Sequence, residues 1–256
     1  MTRATREPIF AADALSKSYG AVQALDSVSF DLAPGEVLGI VGDNGACKST
    51  LINTIAGASK PDSGRIVIDG IEQDFGDASH ARDAGIETVF QQLALIPTLD
   101  IAANIFLNRE YFRFGSLGHR LGLMDTRRMR RETAEALDRI GLRLPPPDRK
   151  AGLLSGGQRQ TVAIARAVFW GRRVVMMDEP AAALGVEQTE FVLSFIEQLK
   201  EQNMGVILIS HNMEHVLRVA DRILVLRLGR KEFEGSRSEV DGQRLVSLIT
   251  GAETVR

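Results

Sequence analysis

Four short apolar runs, each followed by a helical pattern, restrict what this chain can become more than anything else in it. They are EVLGIVG (36–42), IETVF (86–90), RVVMMDE (173–179) and GVILIS (205–210). Strand-length runs without polar alternation demand burial on both faces, and their alternation with helices predicts an α/β fold on a largely parallel sheet. Two hairpin-like stretches, RIVIDGIEQDF (65–75) and DRILVLRLGRKEFEG (221–235), add an antiparallel β portion, with turns expected at Asp69-Gly70 and Gly229. The stretch from about 95 to 150 has no strong strand pattern. It carries the helical TRRMRRETAEALDRIGL (126–142) and ends in LPPPD (144–148), which no helix traverses. It reads as a helical lobe inserted into the α/β core.

Composition sets outer limits. The chain has 256 residues, enough for one large domain or two small ones, with 44% hydrophobic and 25% charged residues, as in ordinary globular proteins. A net charge of -2 gives no footprint for a polyanion, so no nucleic-acid partner is expected. The basic cluster RRMRRE (127–132) reads as the wet face of a helix. No apolar run approaches the roughly 20 residues that cross a bilayer, and the opening MTRATREPIF lacks the apolar core of a leader. A single cysteine excludes an intrachain disulfide and fits a reducing compartment, so a cytoplasmic protein is expected.

The first chemical signal is VGDNGACKST (41–50). It nearly matches G-x-x-x-x-G-K-[ST], in which a curled backbone turns its N–H groups toward phosphate oxygens. Gly42, Lys48 and Ser49 stand where that pattern needs them, and Cys47 stands in place of the second glycine. The candidate phosphate site is therefore Gly42, Asp43, Asn44, Gly45, Ala46, Cys47, Lys48, Ser49 and Thr50, at the N-terminus of a helix. Lys48 would reach the outer phosphates and Ser49 would ligate Mg²⁺. A ligand-free strand-to-helix turn remains the alternative. RRVVMMDEP (172–180) puts Asp178 and Glu179 at the carboxyl end of a strand, where α/β folds bind ligands. Asp178 suits a hold on Mg²⁺ and Glu179 suits a general base for an attacking water. A strand merely ending in acidic loop residues would look the same; following the phosphate loop in order, the pair points to ATP hydrolysis. In LLSGGQRQTVAIARAV (153–168), Ser155, Gly156 and Gly157 would present donors at another helix N-terminus, or serve as a plain cap.

LSGGQ just upstream of VVMMDE, after a phosphate loop, resembles the ATP-binding subunits of ABC transporters. The resemblance covers nearly the whole chain. It implies a P-loop NTPase core of ABC ATPase type with an inserted helical subdomain, roughly 95–168, within one domain spanning 1–256. It implies ATP and Mg²⁺ as ligands, with Tyr19 stacking on adenine, Gln91 sensing Mg²⁺ and water, and His211 contacting the γ-phosphate. It also implies that Ser155, Gly156, Gly157 and Gln158 of one subunit close on the ATP of another, in a head-to-tail homodimer. The segments 86–110 and 209–230 look like bacterial monosaccharide importers of the ribose, xylose and fructose kind. That finer resemblance implies a polytopic permease, a periplasmic or extracellular sugar-binding protein, and a peripheral place on the cytoplasmic face of the inner membrane. Three positions depart from the family pattern: Cys47, Ala181 after DEP, and Gly185 where an aspartate is usual. Cys47 leaves three expectations: a weakened ATP site, a regulatory subunit that binds nucleotide without turnover, or a neutral replacement with the cysteine buried and inert. A non-transport ABC ATPase usually carries coiled-coil or zinc insertions or two fused units, none of which is seen here.

Overall fold

The structure, a computed structural model, describes residues 7–142, 144–182 and 184–253, so the opening residues read above for a leader lie partly outside it. In chain order the elements are β1 (Phe10–Tyr19), β2 (Val22–Leu32), β3 (Val37–Val41), α1 (Lys48–Ile55), β4 (Ser63–Ile68), β5 (Ile71–Gln73), α2 (Ala78–Asp83) and β6 (Ile86–Val89). Then follow α3 (Ile101–Ile105), α4 (Ser116–Arg120), α5 (Thr126–Arg139), α6 (Gly156–Trp170), β7 (Val174–Asp178), α7 (Val186–Glu201), β8 (Gly205–Ile209), α8 (Met213–Val219), β9 (Arg222–Arg227), β10 (Arg230–Ser236) and α9 (Gly242–Thr250). The chain divides into two compact units, 1–91 with 171–256, and 92–170.

The first unit holds both sheets. Its larger sheet runs β10-β9-β3-β8-β7-β6, parallel throughout except for the β9–β10 hairpin. The four apolar runs of the sequence are β3, β6, β7 and β8. Every residue of β3 and β8 is buried, as a strand covered on both faces requires. The smaller sheet is antiparallel, in the order β2-β1-β4-β5. Both expected hairpins form: Asp69 and Gly70 turn β4 into β5 with positive φ at both positions, and Leu228 and Gly229 turn β9 into β10.

The parallel register brings three strand ends level. Ile40 of β3 pairs with Ile209 of β8, and Ile209 pairs with Asp178 of β7. Neighbouring strands lie about 4.8 Å apart. The segments leaving β3, β8 and β7 therefore emerge side by side at one sheet edge. On the far side of β7, Val89 of β6 pairs with Met177, which carries the β6 end to the same edge.

The second unit is helical. Met129, Thr133 and Leu137 bury one stripe of α5, while the arginines of RRMRRE are exposed, as a wet helix face should be. The helix stops at Arg139 rather than running to 142, because Gly141 takes a left-handed conformation (φ 69°) that ends it. Phe106 centres an aromatic cluster with Tyr111, Phe169 and Trp170, at ring centroid distances of 4.9, 5.1 and 5.4 Å. The Trp170 indole N–H donates to the carbonyl of Ile105 at 2.8 Å, so the indole's polar atom is satisfied.

Candidate nucleotide site

The loop between β3 and α1 is held curled by its own atoms. The Lys48 ammonium donates to the carbonyls of Gly42 (2.8 Å) and Asp43 (3.0 Å), and the Ala46 N–H donates to Asp43 O at 3.0 Å. Gly42 cannot carry a side chain, since a Cβ there would lie 2.2 Å from the Leu226 carbonyl of β9. Asp43, Asn44, Gly45 and Ser49 are exposed, Cys47, Lys48 and Thr50 are half-buried, and Ala46 is buried beneath. Cys47 is the N-cap of α1 in the left-handed conformation, φ 67° and ψ 26°. That is the backbone state for which glycine is the unstrained choice. The thiol donates to Gly45 O at 3.4 Å and packs on the core, so the cysteine is accommodated rather than expelled.

At the end of β7 the two carboxylates have different surroundings. Burial, reinforced by the neighbouring Glu179 charge and partly offset by Lys48, raises the Asp178 carboxyl above the ordinary carboxylate range. Asp178 thus senses Lys48 directly and lies within electrostatic reach of the loop. Glu179 has φ 51°, a left-handed conformation that costs a non-glycine residue on the order of 1 kcal/mol or more. Its backbone N–H donates to Ile209 O at 2.9 Å, across to β8. Its carboxylate accepts from the His211 N–H at 2.8 Å and from the Ser210 hydroxyl at 3.3 Å, while His211 Nδ1 stands 2.8 Å from Oε1. The Glu179 side chain is only 12% exposed and that of His211 is 71% exposed. One face of this pair borders a cavity of about 410 Å³ lined also by Ala181, Val186, Glu190 and His215. Gly185, in extended conformation, begins α7 with no side-chain cap, a bond that an aspartate there could have supplied.

Gln91 is exposed, two residues beyond β6 and at the same sheet edge. Tyr19 ends β1 in the antiparallel sheet, 52% exposed, with its hydroxyl 3.4 Å from Ser59 Oγ and the Lys17 ammonium 5.7 Å from its ring centre. Ser155, Gly156, Gly157 and Gln158 belong to the second unit and form a reciprocal cap on α6. The Gln158 N–H donates to Ser155 Oγ at 3.2 Å, and the Ser155 N–H donates to Gln158 Oε1 at 3.0 Å. Sequence reasoning missed Ser210. Its only signal was its place between β8 and His211, and its bond to Glu179 required knowing that β7 and β8 are neighbours.

A parallel sheet whose central strand feeds a curled, lysine-closed loop and a helix N-terminus, with an acidic pair ending a nearby strand, defines the core of a P-loop NTPase. The ABC transporter family model matches residues 25–182. The chain is 45% identical over 249 residues to the fructose import ATP-binding protein FrcA of Rhizobium meliloti, covering 97% of this chain and 96% of that one. It is 43% identical over 234 residues to the xylose/arabinose import ATP-binding protein XylG of Sulfolobus acidocaldarius, covering 91% and 90%. Among solved structures it matches a dimeric ATP-binding cassette in a post-hydrolysis state bound to ADP and Pi, with a TM-score of 0.75, 28% identity, and coverage of 89% and 98%. The chain belongs to the ABC transporter family, as one of its ATP-binding cassettes.

Proposed function

We propose that this chain hydrolyses ATP to power the import of a sugar, a monosaccharide, through a polytopic membrane permease. The observation that carries the reading is the fixed carboxylate of Glu179, held by Ser210 and His211 at the sheet edge where the phosphate loop begins. A base oriented by two donors, on a strained backbone, is suited to polarising a water for attack on a γ-phosphate. Lys48 and the amides of Gly42 to Thr50 offset phosphate charge. Gln91 and His211 hold the attacking water in register, and Tyr19 takes the adenine ring.

Mg²⁺ fits the donors that this edge offers. The Ser49 hydroxyl and the Asp178 carboxylate are hard oxygens, and Mg²⁺ takes one or two such protein ligands together with phosphates and water. Among the described residues no group of three or more His, Cys, Asp or Glu side chains could hold a metal alone. When bound, the ion would neutralise phosphate charge. Nucleotide would close two copies head to tail, Ser155, Gly156, Gly157 and Gln158 of one copy reaching the ATP of the other. The single loop and single signature in the chain support this, as does the likeness to a dimeric cassette. Sugar import is supported by the names of the fructose and xylose/arabinose relatives. With it come a periplasmic or extracellular sugar-binding protein as indirect partner and a peripheral place on the cytoplasmic face of the inner membrane. No described helix is long and apolar enough to cross a membrane.

The test is steady-state ATPase activity and nucleotide titration of Glu179→Gln against wild type. Binding should persist while turnover falls by about 10²–10⁴-fold, the range for positioned acid–base catalysis. Near-normal turnover would remove Glu179 from the role, and a wild-type chain that binds ATP without turnover would establish a regulatory subunit instead.

A further inference from the structure

Between Tyr111 and Met124 the second unit makes a closed excursion that the nucleotide chemistry does not use. Phe112 and Met124 pair across its base, the Arg113 N–H donates to Leu123 O at 2.9 Å, and the Asp125 N–H donates to Tyr111 O at 2.7 Å. The neck is anchored by Tyr111, whose ring meets Phe106 and carries the Arg128 guanidinium 4.1 Å above it. The fold inside is tight: a Cβ on Gly118 would fall 1.5 Å from the Arg113 carbonyl.

What this excursion presents outward is unusual for a wet surface. Phe114 is 79% exposed, Leu117 59% and Leu121 62%, and Leu123 and Met124 are exposed beside them. The segment 111–124 contains two arginines, one histidine and no acidic residue, in a chain whose net charge is -2. Among the described residues neither Arg113 nor Arg120 forms an ion pair, whereas Arg128, Arg130 and Arg131 of α5 pair with Glu132, Asp100 and Glu135. From His119 to Met124 the backbone is largely satisfied internally. The N–H groups of His119, Leu121, Gly122, Leu123 and Met124 all donate to carbonyls within the excursion. Exposed apolar side chains flanked by two unpaired guanidinium groups match the demands of a lipid headgroup layer.

We propose that this acid-free loop is a lipid-contact surface that seats Phe114, Leu117 and Leu121 at the interface of an anionic membrane. The inference rests on the reading that the chain works against a membrane. Exposed apolar side chains beside two unpaired guanidinium groups, with no acidic residue in the segment, complement a fluid, anionic surface. Arg113 and Arg120 attract phospholipid phosphates, each worth about fivefold in partitioning, and the apolar tips enter once the loop is held there.

Cosedimentation of the purified chain, without a permease, tests this on vesicles of phosphatidylcholine alone and of phosphatidylcholine with phosphatidylglycerol in equal parts. Wild type should bind the mixed vesicles, bind the neutral ones far less, and be released by high salt. Arg113→Gln with Arg120→Gln should weaken binding roughly 25-fold, and Phe114→Ser with Leu117→Ser by about tenfold or more. Both double variants should keep wild-type ATPase turnover in solution, which also reports that they fold. No binding by wild type, equal binding to the two vesicle types, or unchanged binding by both variants would overturn the proposal. So would self-association without lipid that the same substitutions abolish, which would assign the loop to a protein contact. A wild type that binds vesicles but never hydrolyses ATP would sink the ATPase reading and leave this one standing.

Discussion

Cys47 shows how much one backbone angle decides. The sequence alone raised a weakened phosphate loop; the structure puts the residue in the left-handed region with its thiol packed on the core. That strain belongs to the folded loop, so it weighs on stability before it weighs on affinity. A side chain in this region costs about 1–2 kcal/mol, and glycine gives back roughly 0.5–1 kcal/mol through its freer unfolded chain. Cys47→Gly should therefore raise stability by at most about 1.5 kcal/mol and shift ATP affinity by well under tenfold; parallel thermal melts and nucleotide titrations read both. Asp178 makes the opposite trade. Its carboxyl is raised first by burial and then by Glu179, so it binds its proton more tightly folded than unfolded. Its contribution to stability is full below the unfolded carboxylate value and is lost as pH rises through the raised native one. Asp178→Asn should accordingly melt higher than wild type at pH 7 without Mg²⁺ or nucleotide, with the gain fading toward about pH 4. The same variant should lose Mg²⁺-dependent turnover. A melting temperature unchanged at neutral pH would show that the native carboxylate is not the burden argued here.

At the scale of elements, the parallel strands were legible because burial on both faces writes itself as an apolar run, and the hairpins because Asp69-Gly70 and Gly229 sit at their turns. The long β1–β2 hairpin was not legible. Ala14 and Ser27 take positive φ and the pairing slips at three places, so the alternation that marks a strand is broken. The short helices α2, α3 and α4 escaped for want of length: five or six residues cannot display a helical period. The loop, the acidic pair and the signature could be read as local motifs. The clamp on Glu179 could not, because it joins residues 31 and 32 positions apart across two strands. The signature turn can now be split into cap and ligand roles. Ser155 closes a reciprocal cap with Gln158, which Ser155→Ala would open at a cost of about 1 kcal/mol. Aspartate is an equally good N-cap, yet it would set a negative charge against a phosphate. Ser155→Asp should thus melt like wild type and fail in ATP-driven turnover. If it turned over normally, Ser155 would be a cap and nothing more.

The whole molecule is defined by what one chain holds once. It has one phosphate loop and one signature turn, and the proposed catalytic unit needs both at each nucleotide. A chain carrying Lys48→Ala spoils the loop of its own site, and a chain carrying Ser155→Arg spoils the signature it offers to its partner. Either homodimer then has two damaged sites. In a mixed dimer, Lys48 of the second chain meets Ser155 of the first in an intact site, and the other site carries both lesions. Equal mixing with free exchange leaves roughly a quarter of all composite sites intact. Nucleotide-driven association, followed by light scattering, should reappear in the mixture, and ATP binding should recover to about that fraction. Turnover should recover likewise if one site suffices, and stay absent with binding restored if hydrolysis needs both. A mixture that neither binds nor associates beyond its separate components would show that each chain builds its site alone, and the head-to-tail dimer would have to be abandoned.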